Sequence, residues 1–476
     1  MQRATFRAGV LAGLLALLLC SLPATSADVP PGVDKDAVAQ AIERGVAYLK
    51  ENQNKNGSWP YHRNGFGGGG LRIGGVEQKG VTDHFSAMDV GVTALAGLAL
   101  LEADVKPDDP VIQKAADYLR KALPELTWTH SLGAAVLFFD RLNNGQDSEH
   151  VKTMAARLVA GQNKDGGWGY SCPKLADSDV RKLNHTNESQ YLQGLAKLTK
   201  AAAAQQMNGG GGIGGFGGIG GVSMTEQSCS EFAIQALWVA RRHQVPVVYT
   251  MTTYEKMCRA NQNADGSFPY GTRNGLGGAS FTTPCMTGAG LLGLLTCHGS
   301  ANEVALVKYS KSKAGAQPAP GKGLRDLAKD PAVVKGFAAL EKLMLEDAKP
   351  KDPRQKQPAA GNFGFVGIAA NKWEANSTFV YMALWSVERV AVAFDKEKIG
   401  KIDWYEWGAK KLLTWQDKEG YWASGQQTVY LDTAFALLFL RRAQPVPDLY
   451  LTLKGVLPPP REPSSSSSTS TPSNDK

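Results

Sequence analysis

The stretch Gln162-Asn-Lys-Asp-Gly166-Gly-Trp168 decides the fold of this 476-residue chain, because it is one of four copies of the same phrase. The other copies read Gln53-Asn-Lys-Asn-Gly57-Ser-Trp59, Gln262-Asn-Ala-Asp-Gly266-Ser-Phe268 and Gln416-Asp-Lys-Glu-Gly420-Tyr-Trp422. Each copy follows a run of apolar residues at helical spacing. Internal repeats of this kind are typical of stacked units that cannot bury their apolar faces alone.

Every copy of the phrase predicts the end of a helix. The Gly can adopt the left-handed conformation that follows the last helical turn, where a Cβ atom would clash. The Gln four residues earlier can donate to a backbone carbonyl that the helix end leaves without a partner. The aromatic residue two positions after the Gly anchors the turn in the core.

Apolar periodicity groups the helices into six pairs. The predicted pairs are 37–52 with 85–102, 110–123 with 128–142, a helix from about 149 to the second phrase with 225–243, 254–261 with 284–298, 331–345 with 376–394, and 404–415 with 430–442. The second member of each pair is apolar nearly all round, which is typical of a helix buried on most faces, whereas the first is amphipathic. The sequence therefore predicts an all-α fold, an α/α toroid of about six helical hairpins.

The chain is predicted to contain a signal peptide, one repeat domain and a tail. Residues 1–27 resemble a secretory signal, with Arg3 and Arg7 before an apolar run at 8–22 that is shorter than the ~20 residues of a membrane span. Lipidation at Cys20 and an uncleaved anchor stay open as alternatives. The toroid is predicted at 28–445, with Gly-rich insertions at 65–75 and 208–221 and a basic linker at 306–362. A Pro/Ser-rich disordered tail follows at 446–476.

These features predict a secreted or periplasmic protein without a transmembrane span after the signal. The formal net charge of +8 does not indicate nucleic-acid binding. Two of the positive charges lie in the signal, and residues 306–356 carry twelve Lys and Arg against six Asp and Glu, which accounts for the rest. That basic segment lacks the interleaved aromatic residues of a surface that follows single-stranded nucleic acid.

Cysteine usage predicts no metal site and no disulfide framework. Five cysteines follow the signal: Cys172, Cys229, Cys258, Cys285 and Cys297. The number is odd, no Cys-x-x-Cys pair occurs, and Cys297-His298 has no partners at metal-ligand spacing. We therefore interpret them as structural thiols and predict neither a metal nor a cofactor.

The repeated phrase and the alternating helices resemble the squalene-cyclase and prenyltransferase repeat superfamily over about residues 37–443. The resemblance implies an α/α toroid in which the Gln and Trp residues tie neighbouring outer helices together, so these repeat residues are structural. The catalytic motifs of that superfamily do not carry over. The chain lacks Asp-x-Asp-Asp (Asp177-Ser-Asp179 is nearest), the Asp-x-Cys pair of zinc-binding prenyltransferases and the Gly-Cys-Gly-Glu-Gln of thioester domains.

A candidate site follows from the predicted topology, because parallel inner helices collect their N-termini at one mouth of the ring. The titratable residues at these ends are His84, Asp89, His130, Glu226, Glu231 and Asp432. Imidazoles and carboxylates that converge on a cavity can perform acid–base chemistry. Helix capping is the favoured explanation of the acidic residues, since capping and the helix dipole favour them in a first turn whatever the function. The catalytic interpretation predicts that His84, His130 and Glu226 lie within hydrogen-bond reach of one another.

Two functions remain open from the sequence. The first is an exported protein that binds an unknown apolar or carbohydrate ligand, or a partner, through its central cavity, and the missing catalytic motifs favour it. The second is a terpenoid cyclase-like or polysaccharide-processing enzyme with residues of its own. Apolar cavity walls favour a lipid, whereas polar walls with aromatic platforms favour a sugar.

Overall fold

The computed structural model describes residues 32–61, 87–143, 145–184, 186–208, 225–272, 282–312, 324, 326–346, 373–377, 379–425, 428–443 and 447–458. The predicted signal peptide, the insertion at 65–75 and the insertion at 208–221, apart from Asn208, lie outside these residues, as does about half of the basic linker. None of the helices within the described ranges is both long and apolar enough to cross a membrane.

The described residues form fifteen α-helices and one two-stranded hairpin. The helices are α1 Lys35–Glu51, α2 Ala87–Glu102, α3 Pro110–Ala122, α4 Thr129–Leu142, α5 Ser148–Ala160, α6 Asp177–Arg181, α7 Glu188–Asn208, α8 Gln227–Ala240, α9 Val248–Asn261, α10 Pro284–Ser312, α11 Pro331–Leu345, α12 Val380–Ala393, α13 Trp404–Trp415, α14 Val429–Leu440 and α15 Pro447–Leu453. Strands β1 (Lys398–Ile399) and β2 (Ile402–Asp403) pair antiparallel, with Ile399 opposite Ile402.

Six helices close into an inner ring. In order around the ring they are α2, α4, α8, α10, α12 and α14, and the last packs back against the first. These helices are buried almost throughout, and in α2 every residue from Val90 to Leu101 is buried. The all-α toroid of six helical hairpins is therefore confirmed.

Six amphipathic helices surround the inner ring: α1, α3, α5, α9, α11 and α13. Each has an inner helix packed against it, and α13 also packs against α1, so the last outer helix meets the first. In α3, the apolar positions are buried, while Lys121 of its last turn is exposed. This division follows from the apolar periodicity of the sequence.

The repeat glutamines join neighbouring outer helices. Each side-chain amide donates to the carbonyl of its own repeat Gly and to a carbonyl of the next outer helix, at 2.8 to 3.0 Å. The acceptors on the next helix are Val111 for Gln53, Thr250 for Gln162, Ala332 for Gln262 and Ala41 for Gln416. The last of these bonds joins α13 to α1 across the closure of the ring.

The repeat glycines adopt the predicted left-handed conformation. Gly57, Gly166, Gly266 and Gly420 have φ values between +89° and +105°. A Cβ atom at Gly57 would lie 2.2 Å from the Lys114 carbonyl oxygen of the next outer helix, and at Gly166 it would lie 2.6 Å from that of Thr253. Glycine is therefore required at these positions by conformation and by the close approach of two backbones.

The repeat indoles bind their own outer helix, and Trp168 also packs on the next one. Trp59, Trp168 and Trp422 each donate from Nε1 to the carbonyl of a leucine ten residues earlier, at 2.6 to 2.8 Å. The ring of Trp168 also lies 5.9 Å from that of Tyr254 on α9. The expectation that Gln and Trp together tie outer helices is refined, since the hydrogen bond between helices comes from the Gln alone.

Trp373 makes a fifth contact of this kind, which the sequence did not reveal. Its Nε1 donates to the Leu343 carbonyl at 3.1 Å, at the end of α11. The segment that separates the two residues is longer than in the other repeats. In the phrase aligned on Trp373, Gly367 occupies the Gln position and Asn371 the Gly position, so the residues that mark the other four copies are missing there.

Two predicted boundaries differ from the structure. The basic segment predicted as linker from 306 continues α10 as far as Ser312. The predicted tail from 446 begins instead with α15, in which Leu449 and Thr452 are buried and Asp448 forms ion pairs with Arg241 and Arg242. The helix α15 is thus ordered by its buried apolar side chains and by the ion pairs of Asp448, although the composition of this segment is typical of a linker. Residues 459–476 of the predicted tail lie outside the described residues.

Candidate functional site at the open end of the inner ring

The N-terminal ends of neighbouring inner helices lie side by side. Ser131 at the start of α4 donates to the Ala87 carbonyl at the start of α2, at 2.5 Å. His130, also on α4, has its Nε2 atom 2.8 Å from the Ser228 Oγ atom at the start of α8. The helices α2, α4 and α8 are therefore parallel, and their first turns lie together at one end of the ring, which we call the open end.

His130, Ser228, Glu226 and Cys229 form one connected cluster at this end. The Ser228 hydroxyl donates to Glu226 Oε2 at 2.6 Å and contacts His130 Nε2 at 2.8 Å. The other imidazole nitrogen, Nδ1, lies 3.6 Å from Cys229 Sγ. Cys229 and Glu226 are buried, whereas a quarter of the His130 side chain is exposed. His130 is thus the member of the cluster that a ligand can reach.

Glu226 occupies its place because it caps α8. Its carboxylate accepts hydrogen bonds from the backbone N–H groups of Ser228 and Cys229, at 2.9 and 2.8 Å. A carboxylate at a helix N-terminus is favoured by these donors and by the helix dipole. The capping interpretation of this residue is therefore correct, and it does not exclude a second role, because Oε2 also reaches the Ser228 hydroxyl.

Burial favours the uncharged forms of His130 and Cys229. Burial lowers the pKa of His130 below its usual range, and the charge of Glu226 opposes this effect. Burial raises the pKa of Cys229 well above its usual range, and the nearby Glu226 carboxylate adds to the increase. At neutral pH, the imidazole therefore has one nitrogen free of a proton, and Cys229 is a thiol.

Aromatic side chains surround the cluster. The ring of Tyr170 lies 5.9 Å from His130 and 5.3 Å from Trp128, and Phe232 packs edge-on to His130 at 5.4 Å. The hydroxyls of Tyr170 and Tyr270 are hydrogen-bonded to each other. Trp128, Tyr170 and Tyr270 are partly exposed, so this wall presents both ring faces and hydroxyl groups.

Glu231 lies deeper in the ring and does not reach the cluster's open face. It is fully buried and pairs with Arg389 of α12, whose Nη1 also donates to Gln235 at 2.9 Å. The Arg389 guanidinium lies 3.4 Å from the centre of the Trp385 ring. Burial raises the pKa of Glu231, and the charge of Arg389 opposes this effect. The pair fills the interior below the open end.

The two aspartates among the predicted residues are held by local hydrogen bonds. Asp89 accepts from the Tyr61 backbone N–H at 2.7 Å. Asp432 accepts from the backbone and hydroxyl of Ser424 and from the Thr428 hydroxyl, at 2.5 to 2.8 Å. Burial raises the pKa of Asp432 to about 6. Both contacts fix the turns that precede their helices.

Of the titratable residues predicted to meet at this end of the ring and described by the structure, only His130 and Glu226 form a common cluster. Glu226 and His130 approach to 3.8 Å and are bridged by Ser228, while Glu231, Asp89 and Asp432 have the separate partners described above. His84 lies outside the described residues. The sequence interpretation assigned Cys229 to the core and did not select Ser228, Tyr170 or Tyr270.

A signal for the tyrosines was present in the sequence. Tyr61, Tyr170 and Tyr270 each follow the repeat aromatic residue by two positions. Because every repeat phrase leads toward the start of an inner helix, this offset places the tyrosines at the open end of the ring. Extending the repeat comparison by two residues would have identified them.

Comparison with known proteins finds similar folds at low sequence identity. The type II terpene cyclase MstE from Scytonema, in complex with geranylgeranyl dihydroxybenzoate, is 13% identical over 86% of this chain and 97% of that one, with a TM-score of 0.43. An inactive variant of an α-1,6-mannanase from Salegentibacter, in complex with α-1,6-mannotriose, is 9% identical over 85% and 98%, with a TM-score of 0.40. No protein-family model matches the chain, and no curated protein matches its sequence.

Proposed function

We propose that this chain is an exported protein of the squalene-cyclase and prenyltransferase repeat type that binds a carbohydrate at the open end of its inner ring. The observation that carries the proposal is the partly exposed His130 beside Ser228, set among the partly exposed rings of Trp128, Tyr170 and Tyr270. Export is supported by the signal pattern of residues 1–27. The repeat type is supported by the four Gln bridges between outer helices.

The chemistry of the wall suits a sugar better than a lipid. A pyranose ring has a C–H face that packs on an aromatic ring, and its hydroxyls both donate and accept hydrogen bonds. Serine, tyrosine and neutral histidine also offer both functions. An isoprenoid chain has no polar atoms, so it could not bond to the hydroxyl groups and the imidazole at this end of the ring.

Acid–base processing of a polysaccharide is a second candidate, and one observation favours it. His130 is partly exposed, burial lowers its pKa, and it is connected through the Ser228 hydroxyl to Glu226. Because Ser228 donates to Glu226, His130 Nε2–H donates to Ser228, and Nδ1, which lies 3.6 Å from Cys229 Sγ, is the ring atom that can accept a proton. Terpenoid cyclisation has less support, since the raised-pKa acid Asp432 already accepts three hydrogen bonds within its own turn.

Affinity electrophoresis in gels containing neutral or uronic-acid polysaccharides tests the proposal. We expect at least one polysaccharide to retard the protein, and Trp128→Ala to weaken binding about 10-fold, the loss of roughly 1.4 kcal/mol of aromatic contact. Tyr249→Ala is the matched control, because Tyr249 is an aromatic residue that is 60% exposed on the outer helix α9. Tyr249→Ala should bind the polysaccharide with the affinity of the wild-type protein.

Three results would overturn the proposal. One is that no polysaccharide retards the wild-type protein, and another is that Trp128→Ala and Tyr249→Ala bind equally well. The third is that a prenyl lipid binds while sugars do not. Product analysis by mass spectrometry of the same mixtures distinguishes binding from processing, since only processing shortens or unsaturates the chain.

A further inference from the structure

Three side chains of the open end carry the chemistry of a metal site. His130, Glu226 and Cys229 each offer one ligand atom, and these atoms lie within 4.8 Å of one another. Among the residues that the structure describes, this is the one group of three His, Cys, Asp or Glu side chains with such spacing. Its members come from the first turns of two adjacent helices, α4 and α8, which hold them on rigid backbone.

We propose that His130, Glu226 and Cys229 bind a single zinc ion at the open end of the ring. The set does not follow the Asp-x-Cys order with a later His, since here the His precedes the other two and the carboxylate lies three residues before the Cys. The site uses the same end of the ring as the proposed carbohydrate site, but it does not depend on sugar binding.

The distance between Cys229 and His130 is compatible with tetrahedral zinc, and Glu226 lies near enough to supply the third ligand atom, within 4.8 Å of the other two. With Zn–S near 2.3 Å and Zn–N near 2.0 Å, the tetrahedral angle places sulfur and nitrogen about 3.5 Å apart. The observed separation between Cys229 Sγ and His130 Nδ1 is 3.6 Å. One sulfur, one nitrogen and one oxygen ligand form a mixed set that zinc accepts and that calcium or magnesium does not favour.

The surrounding groups orient the ligands. If Nδ1 binds the metal, Nε2–H donates to the Ser228 hydroxyl, which in turn donates to Glu226. Hydrogen bonds of this type fix the tautomer and ring orientation of a metal-bound histidine. The Glu226 carboxylate is fixed as well, because it accepts the N–H groups of Ser228 and Cys229.

Three protein ligands leave one tetrahedral position open. A closed structural zinc site has four protein ligands, whereas three ligands and a water are typical of a site that acts on a ligand. His130 is partly exposed and its ring lies 5.9 Å from that of Tyr170, so this is the side of the cluster from which a ligand can approach. Zinc would therefore add a Lewis-acidic contact for a hydroxyl or carboxylate at this end of the ring.

Metal analysis of the full chain tests the inference. The protein is stripped with a chelator, incubated with Zn²⁺, dialysed and analysed by mass spectrometry for metal content. We expect one zinc per chain, and Co²⁺ in its place should give a thiolate-to-cobalt charge-transfer band. Cys229→Ser should abolish the band and weaken zinc binding by at least about 100-fold.

Cys258→Ser is the matched control, because Cys258 is also a buried free thiol but contacts the Gly290 carbonyl on α10. It should keep the zinc and the band. His130→Gln is the second ligand variant, chosen because its side chain is partly exposed and it should fold if Cys229→Ser does not. Substoichiometric zinc in the wild type, or equal zinc in wild type and His130→Gln, would overturn the inference.

The zinc site and the carbohydrate site can be tested independently of each other. Trp128→Ala should lose polysaccharide and keep zinc, since the indole is not a ligand. Cys229→Ser should lose zinc whatever its effect on the sugar. If the wild type binds zinc but no polysaccharide, the metal site stands and the proposed function falls; if it binds polysaccharide with no zinc, the reverse holds.

Discussion

Replacing Gln416 by Leu is expected to loosen the closure of the ring between α13 and α1. The Gln416 amide donates to Ala41 and to Gly420, each at 2.8 Å, and its carbonyl oxygen accepts from Arg44. Leucine has a similar volume but no polar atoms, so both carbonyls lose their donor. At about 1 kcal/mol per bond, and more where the acceptor stays buried, the loss is about 2–4 kcal/mol.

Native-state hydrogen exchange of the full chain measures this effect locally. The amides of α1 and α13 should exchange faster in Gln416→Leu by a factor that corresponds to that free energy. Gln162→Leu serves as the reference, because Gln162 makes the same two bonds at a junction inside the chain. Gln193→Leu, on an exposed position of α7, should change exchange by less than about 0.5 kcal/mol.

The comparison between the two repeat variants decides the result. If Gln162→Leu destabilises its junction while Gln416→Leu behaves like Gln193→Leu, the Gln416 bridge does not stabilise the ring. That outcome would contradict the inference that the same contact recurs at the closure.

Three further predictions concern pH, backbone and export. Burial raises the pKa of Asp432 from about 4 in the unfolded chain to about 6 in the folded chain. The contribution of this residue to the free energy of unfolding is therefore full below pH 4 and is lost as pH rises through 6, by roughly 3 kcal/mol. Asp432→Asn should remove this pH dependence from urea unfolding, and parallel profiles of the wild type and the variant would contradict the prediction. Gly166→Ala should lower the free energy of unfolding by more than about 2 kcal/mol in the same assay, because φ is +105° and the new Cβ meets the Thr253 carbonyl. Gly425→Ala is the control and should be nearly neutral, because the space around Gly425 is open. Mass spectrometry of the exported protein should find an N-terminus close to Ala27, and a chain that begins at Met1 would refute cleavage.

The helix ends and the division into inner and outer helices were predictable, because short segments of sequence specify both. The Gln–Gly–aromatic spacing specifies a helix end, a left-handed Gly and an amide that needs an acceptor, and all four copies have this geometry. Apolar periodicity likewise separates inner from outer helices. Trp373 was missed because its phrase is broken, although its indole makes the same contact.

The site was predictable only in part, because it depends on contacts between distant segments. His130 and Ser228 are 98 residues apart, and nothing local in either stretch specifies that they touch. Cys229 looked like a core thiol because its neighbours in the sequence are those of a buried helix. The helix α15 could not be predicted for the same reason, because the contacts that hold Asp448 come from Arg241 and Arg242, about 200 residues away in the sequence.

The closed double ring is the basis of the proposed site, since the open end exists only if α14 meets α2 and α13 meets α1. Spin labels on Glu43→Cys of α1 and Lys410→Cys of α13 test this closure by electron–electron distance measurement; both positions are exposed, and the described native cysteines are buried and should stay unlabelled. Packed neighbouring helices lie about 10 Å apart, so a single short distance is expected once the label arms are included. A dominant distance beyond about 40 Å, several times the spacing of neighbouring helices, would mean an open arch, and the inferred site would fall with the ring.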